Sequence, residues 1–110
     1  MILPRSEVNL LHAELCTAVA DPIRITLLYT LAEQSSNVSE LTELLALPQS
    51  TVSRHLRVLR TSHLVRDQRN GRQVLYSLED QRIIEALDLL RQVLGERAVS
   101  RAEVFAGCKA

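Results

Sequence analysis

Apolar residues recur at helical spacing in the first third of the chain. A repeat of three to four residues predicts a first helix over residues 7–19, with Ser6 as its N-cap. Asp21-Pro22 is a second start signal, because an aspartate accepts free backbone N–H groups and proline is tolerated at the first helical position. The pattern therefore predicts a second helix from Pro22 to Glu33.

Two short amphipathic segments with a turn between them follow, over residues 39–62. Ser39 is placed to cap the first segment, and Pro48 disfavours helical geometry at the residue before it, so the chain turns there. In the second segment apolar residues share one side of the helix, while serines and arginines fall largely on the others. This arrangement predicts a helix-turn-helix.

A β-hairpin is predicted directly after these helices, over residues 64–78. Its strands flank Asn70-Gly71, the dipeptide that best tolerates the positive φ needed at both central positions of a type I′ turn. A hairpin in this place is a wing. The predicted fold class is therefore mainly α with a small β-hairpin, a winged helix-turn-helix of five or six helices plus a two-stranded wing.

The last apolar stripe predicts a long helix over residues 80–96, and residues 97–110 either extend it or form another turn. Because the helix-turn-helix has a core of its own, this stripe needs another partner. We expect residues 1–110 to form a single domain that makes a homodimer through helices 7–19 and 80–105.

Charge is distributed unevenly along a chain whose formal net charge is zero. Residues 49–78 carry six arginines against one aspartate, a net charge of +5, whereas residues 1–48 carry −4 and residues 79–110 carry −1. A basic segment on the helix-turn-helix and wing of an otherwise acidic protein is typical of DNA binding.

A helix in the major groove should offer short hydrogen-bonding side chains and arginines near its N-terminus. The start of the second helix of the helix-turn-helix provides such residues, the rest of that helix offers arginines for phosphate, and arginines flank the wing tip, where they can reach the backbone or the minor groove. The alternative for each arginine is a solvent-exposed charge that has no part in DNA binding. The predicted DNA-contacting residues are Gln49, Ser50, Thr51, Ser53, Arg54, Arg57, Arg60, Arg69 and Arg72.

Three segments stand out together, in this order along the chain: Ala20-Asp21-Pro22-Ile23-Arg24, Gln49-Ser50-Thr51-Val52-Ser53-Arg54-His55-Leu56 and Asn70-Gly71-Arg72-Gln73-Val74-Leu75-Tyr76. They resemble the ArsR/SmtB family of bacterial winged-helix repressors. The resemblance implies a dimer formed by the terminal helices and repression by operator occupancy. It also implies release by an effector, commonly a metal or metalloid ion or a thiol oxidant.

The chain departs from that family where effectors are sensed. The Cys-x-Cys pair of some metal-sensing members would fall at Asn37 and Ser39, which supply no thiolate. Other members bind zinc or nickel on the last helix, through an Asp and a His near its start and a His and an acid later. The four corresponding residues here are Asp80, Arg82, Val93 and Glu96. Two hard oxygens without imidazole make a poor zinc site, so we expect no metal or other cofactor at these positions.

A further departure concerns the backbone. Many members have glycine after the recognition helix, where this chain has His63. Histidine tolerates a left-handed conformation better than most residues, so we predict a strained helix cap at this position.

Two cysteines are left for a sensing role. Cys16 lies in the first predicted helix, where a free cysteine is most often a small buried hydrophobic residue. Alternatively, Cys16 of one chain approaches Cys108 of the other in a disulfide or a low-coordinate metalloid site. The choice between a thiol or metalloid switch, an unknown small molecule and no effector stays open.

Other classes of function have less support. A winged helix that served only protein interaction would lack the polar, basic helix face that is present here. The sequence has no Gly-rich phosphate loop, no pairing of nucleophile with base and no recognisable pair of carboxylates, so we expect no enzyme. Without a membrane-spanning run or a signal peptide, we expect a cytoplasmic protein whose partners are double-stranded DNA and a second copy, with no membrane contact.

Overall fold

The structure is a computed structural model that describes the backbone of residues 2–109 and the side chains of residues 2–98. The chain forms two compact units, Met1–Asp80 and Gln81–Ala110. In chain order the elements are α1 (Arg5–Leu11), a π-helical turn (His12–Cys16), α2 (Pro22–Glu33), α3 (Val38–Leu45), α4 (Gln49–Thr61), β1 (Val65–Asn70), β2 (Gln73–Leu78) and α5 (Arg82–Lys109). This is a winged helix-turn-helix, as predicted.

The core of the first unit lies where α2, α3, α4 and the hairpin meet. Its buried side chains are almost all branched and apolar, and each contributes on the order of 1.5–3 kcal/mol on burial. They include Leu27, Leu28, Leu31, Leu41, Val52, Leu56, Leu59, Leu64 and Val65. This packing fixes α4 against α2 and α3.

Helix α2 begins and ends as predicted, from Pro22 to Glu33. The Asp21 carboxylate accepts hydrogen bonds from the N–H groups of Ile23 at 2.8 Å and of Arg24 at 3.3 Å. The start signal read from Asp21-Pro22 is therefore confirmed.

The first helix differs from the prediction in its cap and its geometry. It begins at Arg5 after Pro4, so Ser6 lies inside the first turn and is not the cap. Pro4 has φ −61° and ψ 142°, the extended geometry of an N-cap residue, and its side chain makes no cap hydrogen bond. The helix then widens into the π-helical turn, where Thr17 donates its N–H to the C=O of His12 at 2.9 Å. The helical segment thus ends at residue 16 instead of residue 19.

Helix α3 is capped by Asn37 and not by Ser39, which lies in its first turn. The Asn37 side chain accepts from the N–H of Glu40 at 2.8 Å, and the Glu40 side chain accepts from the N–H of Asn37 at 3.1 Å. This capping box satisfies two backbone donors at once, which a single serine at position 39 would not do.

Both helices of the helix-turn-helix end on a non-glycine residue in the left-handed conformation. Ala46 has φ 53°, and the N–H of the next residue donates to the C=O of Thr42 at 3.3 Å. His63 has φ 60°, and the N–H of the next residue donates to the C=O of Leu59 at 2.9 Å. Both endings are Schellman motifs. The left-handed cap predicted at His63 is confirmed, and the one at Ala46 was not foreseen.

The wing is an antiparallel hairpin whose turn differs from the prediction. Its register runs from Val65↔Leu78 to Asn70↔Gln73, so the loop is Gly71-Arg72. Of these two, Gly71 alone has positive φ, at 67°. Positive φ at the first central position alone is the pattern of a type II′ turn. The predicted type I′ turn is wrong because Asn70 pairs in the ladder, which moves the glycine into the first central position.

A single residue outside the hairpin extends its sheet. Ser36 donates its N–H to the C=O of Tyr76 at 3.1 Å and accepts from the N–H of Tyr76 at 2.8 Å. Ser36 is buried. This bridge joins β2 to the segment between α2 and α3, and so fixes the wing to the helices of the same unit.

Helix α5 forms the second unit and continues to Lys109. Of the two alternatives for the C-terminal residues, extension of the helix is therefore correct for residues 97–109, and residue 110 lies outside the described backbone. Its exposed face carries large apolar side chains at Leu89, Leu90, Val93 and Leu94. No helix in the described part of the chain is long and apolar enough to cross a membrane.

Candidate nucleic-acid interface

Helix α4 separates an apolar face from a polar, basic one. Val52, Leu56 and Leu59 are buried in the core, and His55 lies with them. Thr51 is half-buried. The predicted contact residues on this helix that are exposed to solvent are Gln49, Ser50, Ser53, Arg54, Arg57 and Arg60. Because the opposite face of α4 packs in the core, these predicted contact residues all lie on the solvent-exposed face.

The wing adds further exposed arginines. Arg69 lies on β1 opposite Val74, and Arg72 lies in the turn after Gly71. Arg66, which was not among the predicted contacts, is also exposed on β1. The helix and the wing thus present all six arginines of residues 49–78 to solvent.

One arginine of this surface has a carboxylate partner. Arg60 Nη1 lies 3.1 Å from Asp67 Oδ2, and the two side chains are 49% and 37% exposed. The pair connects the last turn of α4 to β1. Asp67 is the single acidic residue of the basic segment, and no local pattern in the sequence predicts its pairing with Arg60.

A second arginine fixes α4 from its buried side. Arg24, in the first turn of α2, donates from Nη1 to Nδ1 of His55 at 3.2 Å. Its Nε donates to the C=O of Ala18 at 2.6 Å, and its Nη2 donates to the C=O of Thr17 at 3.0 Å. His55 is only 8% exposed, so it is a packed residue.

The cap of α2 lies in the same cluster. Partial burial would raise the pKa of the Asp21 carboxyl, but the N–H groups of Ile23 and Arg24 and the positive charges of His55, when protonated, and of Arg24 lower it more. The net result is a pKa below the ordinary aspartate value, because these donors and charges favour the ionised form.

Of the two cysteines, the structure describes the side chain of Cys16 alone. Cys16 is exposed and carries a free thiol, so its interpretation as a buried hydrophobic residue is wrong for this chain. The reason is that the π-helical turn that carries it buries none of its residues. The side chain of Cys108 lies outside the described residues. Within the described part, no three His, Cys, Asp or Glu side chains form a group that could hold a metal ion.

Comparison with known proteins identifies relatives of this chain. Residues 21–67 match the model of the family described as bacterial regulatory protein, arsR family. The HTH-type transcriptional repressor SmtB of Mycobacterium tuberculosis is 40% identical over 77 residues, which is 70% of this chain. The match spans 57% of the length of that repressor.

Other relatives match over a larger share of their own length. The biofilm growth-associated repressor of Xylella fastidiosa is 33% identical over 78 residues, which cover 71% of this chain and 68% of the repressor. The crystal structure of Rv0081 from M. tuberculosis superposes with a TM-score of 0.76 at 31% identity, over 92% of this chain and 99% of that one. With the helix-turn-helix and wing described above, these similarities show that the chain belongs to the ArsR family of bacterial regulatory proteins.

Proposed function

We propose that this chain is a homodimeric, sequence-specific DNA-binding repressor. The observation that carries the proposal is the exposed face of α4, where short polar side chains and arginines stand together beside a wing of exposed arginines. The chain's family is one of regulators, and two of its relatives are named repressors. Both facts support a regulatory protein over an enzyme or a module for protein interaction alone.

The two parts of the surface have different tasks in this proposal. Ser50, Ser53 and Arg54 lie near the start of α4, where a helix inserted into the major groove reaches base edges. Arg57 and the wing arginines meet phosphates or the minor groove, which contributes affinity that depends on salt. In this proposal α4 therefore provides the sequence selectivity, and α4 and the wing together provide the salt-dependent affinity.

A second copy of the chain is the partner that the terminal helices favour. Helix α1 exposes Val8, Leu10 and Leu11, and α5 exposes a longer apolar stripe. Burial of such stripes between two chains stabilises a dimer, and a dimer places two α4 helices for two half-sites of an operator. Its place of action is then the cytoplasm, where the chromosome lies.

Three possibilities for the effector stay open. They are a thiol oxidant or metalloid ion that acts on the cysteines, another small molecule, and no effector at all. The exposed Cys16 thiol supports a test of the first. A metal bound at the usual family positions is not part of the proposal, since Asn37 serves the cap of α3 and Arg82 and Val93 offer no imidazole.

The test is fluorescence anisotropy with the purified chain and the DNA upstream of its own gene, against a shuffled duplex, at several salt concentrations. Arg54→Ala should weaken binding to the selected site by about 1–3 kcal/mol and relax its selectivity. Arg72→Ala should weaken binding to both duplexes and lower the salt slope by about 0.9. Arg5→Ala, which removes the same charge from α1, is the control.

The same assay tests the effector. Treatment with arsenite or a thiol oxidant should release the DNA if the cysteines sense, and Cys16→Ser should then remain bound. Absence of selective binding to any fragment would contradict the proposed function itself.

A further inference from the structure

We infer that Arg24 is a positioning residue for DNA recognition, which holds α4 through His55 and links that helix to the carbonyl groups of Thr17 and Ala18. The inference rests on the proposed function, because it concerns how the helix that reads DNA is held. His55 lies on the buried face of α4, so its influence on DNA is exerted through the helix.

The guanidinium group of Arg24 connects two separate parts of the fold. Two of its nitrogens donate to backbone carbonyls just after the first helical segment, at 2.6 and 3.0 Å. Its third nitrogen donates to His55 at 3.2 Å, across 31 positions of the chain. Each nitrogen of the fork therefore has its own acceptor, and the backbone of Arg24 is held in turn by the Asp21 cap.

The chemistry of the pair fixes the state of the imidazole. An arginine side chain donates hydrogen bonds and accepts none, so Nδ1 of His55 must be the acceptor. An accepting Nδ1 carries no proton, and the neutral ring then bears its proton on Nε2. An imidazolium would instead present an N–H to the guanidinium group and place two positive charges side by side. The bridge therefore exists only with the neutral Nε2–H tautomer.

The position of His55 on α4 explains why the bridge matters for DNA. His55 follows directly after Ser53 and Arg54, so a rotation or shift of the helix at His55 redirects both exposed side chains. Hydrogen bonds to base edges require fixed geometry, whereas contacts with phosphate tolerate small displacements. Loss of the bridge should therefore lower affinity for the selected site while sparing non-specific affinity.

The first experiment observes the imidazole directly and needs no DNA. Long-range ¹H–¹⁵N correlation spectra of the reduced full chain at neutral pH should show His55 with Nδ1 unprotonated and Nε2 protonated. In Arg24→Met, which keeps the aliphatic stem and removes the donors, the ring should become a mixture of tautomers. A proton on Nδ1 of the wild type, or spectra unchanged by Arg24→Met, would overturn the inference.

The second experiment measures DNA binding with a charge-matched control. Arg24→Met should lose about tenfold in affinity for the selected site, in line with one hydrogen bond to a charged group. Its affinity for a shuffled duplex should match that of Arg5→Met, which removes a charge from α1. Circular dichroism and sedimentation check that both variants keep their helices and assembly. Equal losses on both duplexes would mean that Arg24 acts as a general charge, contrary to the inference.

Two substitutions of His55 separate hydrogen bonding from ring packing. His55→Asn keeps an acceptor near the place of Nδ1 but loses the ring, whereas His55→Phe keeps the ring and loses the acceptor. If the bridge positions α4, the asparagine variant binds the selected site more tightly than the phenylalanine variant. The reverse order would make His55 a packing residue only. Should the wild type select no DNA at all, the proposed function fails, while the spectra still decide whether the bridge exists.

Discussion

Ala46 holds the turn between α3 and α4 in a conformation that suits glycine better. Its φ of 53° brings Cβ close to the following carbonyl oxygen, at a cost of roughly 1–2 kcal/mol. Ala46→Gly should therefore stabilise the protein by about 1 kcal/mol in urea unfolding, after the greater entropy of glycine in the unfolded chain is included. Ala86→Gly, at an exposed position inside α5, should destabilise by roughly 0.5–1 kcal/mol. The same sign in both variants would contradict this account of the turn.

Asp21 makes stability depend on pH in the acidic range. Its pKa is lower in the folded chain than in the unfolded one, so its ionised form stabilises the fold above the ordinary aspartate pKa of about 3.9. That contribution is lost as the pH falls through the lowered folded value. Asp21→Asn keeps a cap acceptor but cannot titrate. Urea unfolding between pH 7 and pH 2.5 gives the free energy of unfolding of the wild type and of Asp21→Asn. The wild-type value minus the variant value should decrease on acidification. A difference that stays constant with pH would rule out the effect.

At the scale of elements, the ion pair between α4 and β1 partly neutralises Arg60, which belongs to the proposed DNA-binding surface. Arg60 and Asp67 are both partly exposed, so the ion pair itself contributes at most about 1 kcal/mol to stability. Asp67→Asn frees Arg60 for phosphate. We expect the affinity for a shuffled duplex to rise about fivefold near physiological salt, with a salt slope steeper by about 0.9.

The control for this prediction is a second exposed ion pair. Asp88 contacts Arg91 at 3.2 Å on α5, and Asp88→Asn removes the same charge there. If both aspartate variants change DNA binding equally, net charge alone explains the effect and Arg60 has no special part in it.

Element boundaries show where local signals are sufficient and where they fail. The bounds of α2 follow from Asp21-Pro22 and the apolar repeat, since cap and helix are neighbours along the chain. The cap of α3 was misplaced because Ser39 and Asn37 are both good caps, and only the reciprocal bonds with Glu40 distinguish them. The hairpin turn was misplaced by one residue because the ladder, and not the dipeptide, decides which residues are central.

At the scale of the whole molecule, the apolar stripes of the terminal helices predict the assembly. Leu90 is 65% exposed and Leu94 is 63% exposed on one side of α5. Leu90→Glu should convert the proposed dimer to a monomer in sedimentation equilibrium, because a carboxylate resists burial in an apolar interface. Loss of the second half-site contact should weaken operator binding by at least about 100-fold.

The matched control for the dimer is Gln92→Glu, which adds the same charge two residues away on the opposite side of α5. It should remain dimeric and bind DNA within about threefold of the wild type, as expected for one added surface charge. A dimer that survives Leu90→Glu would remove this stripe from the interface.

The sequence by itself determined the order and type of the elements and the exposed basic face of α4. Each of these follows from periodicity, caps or charge among neighbours along the chain, so that a window of a few residues contains the information. Only the tertiary structure decided three contacts: the hydrogen bond from Arg24 to His55, the β-bridge between Ser36 and Tyr76, and the ion pair of Asp67 with Arg60. These contacts join different elements, and their partners are chosen by how the packed core places one element against another, which no local spacing encodes.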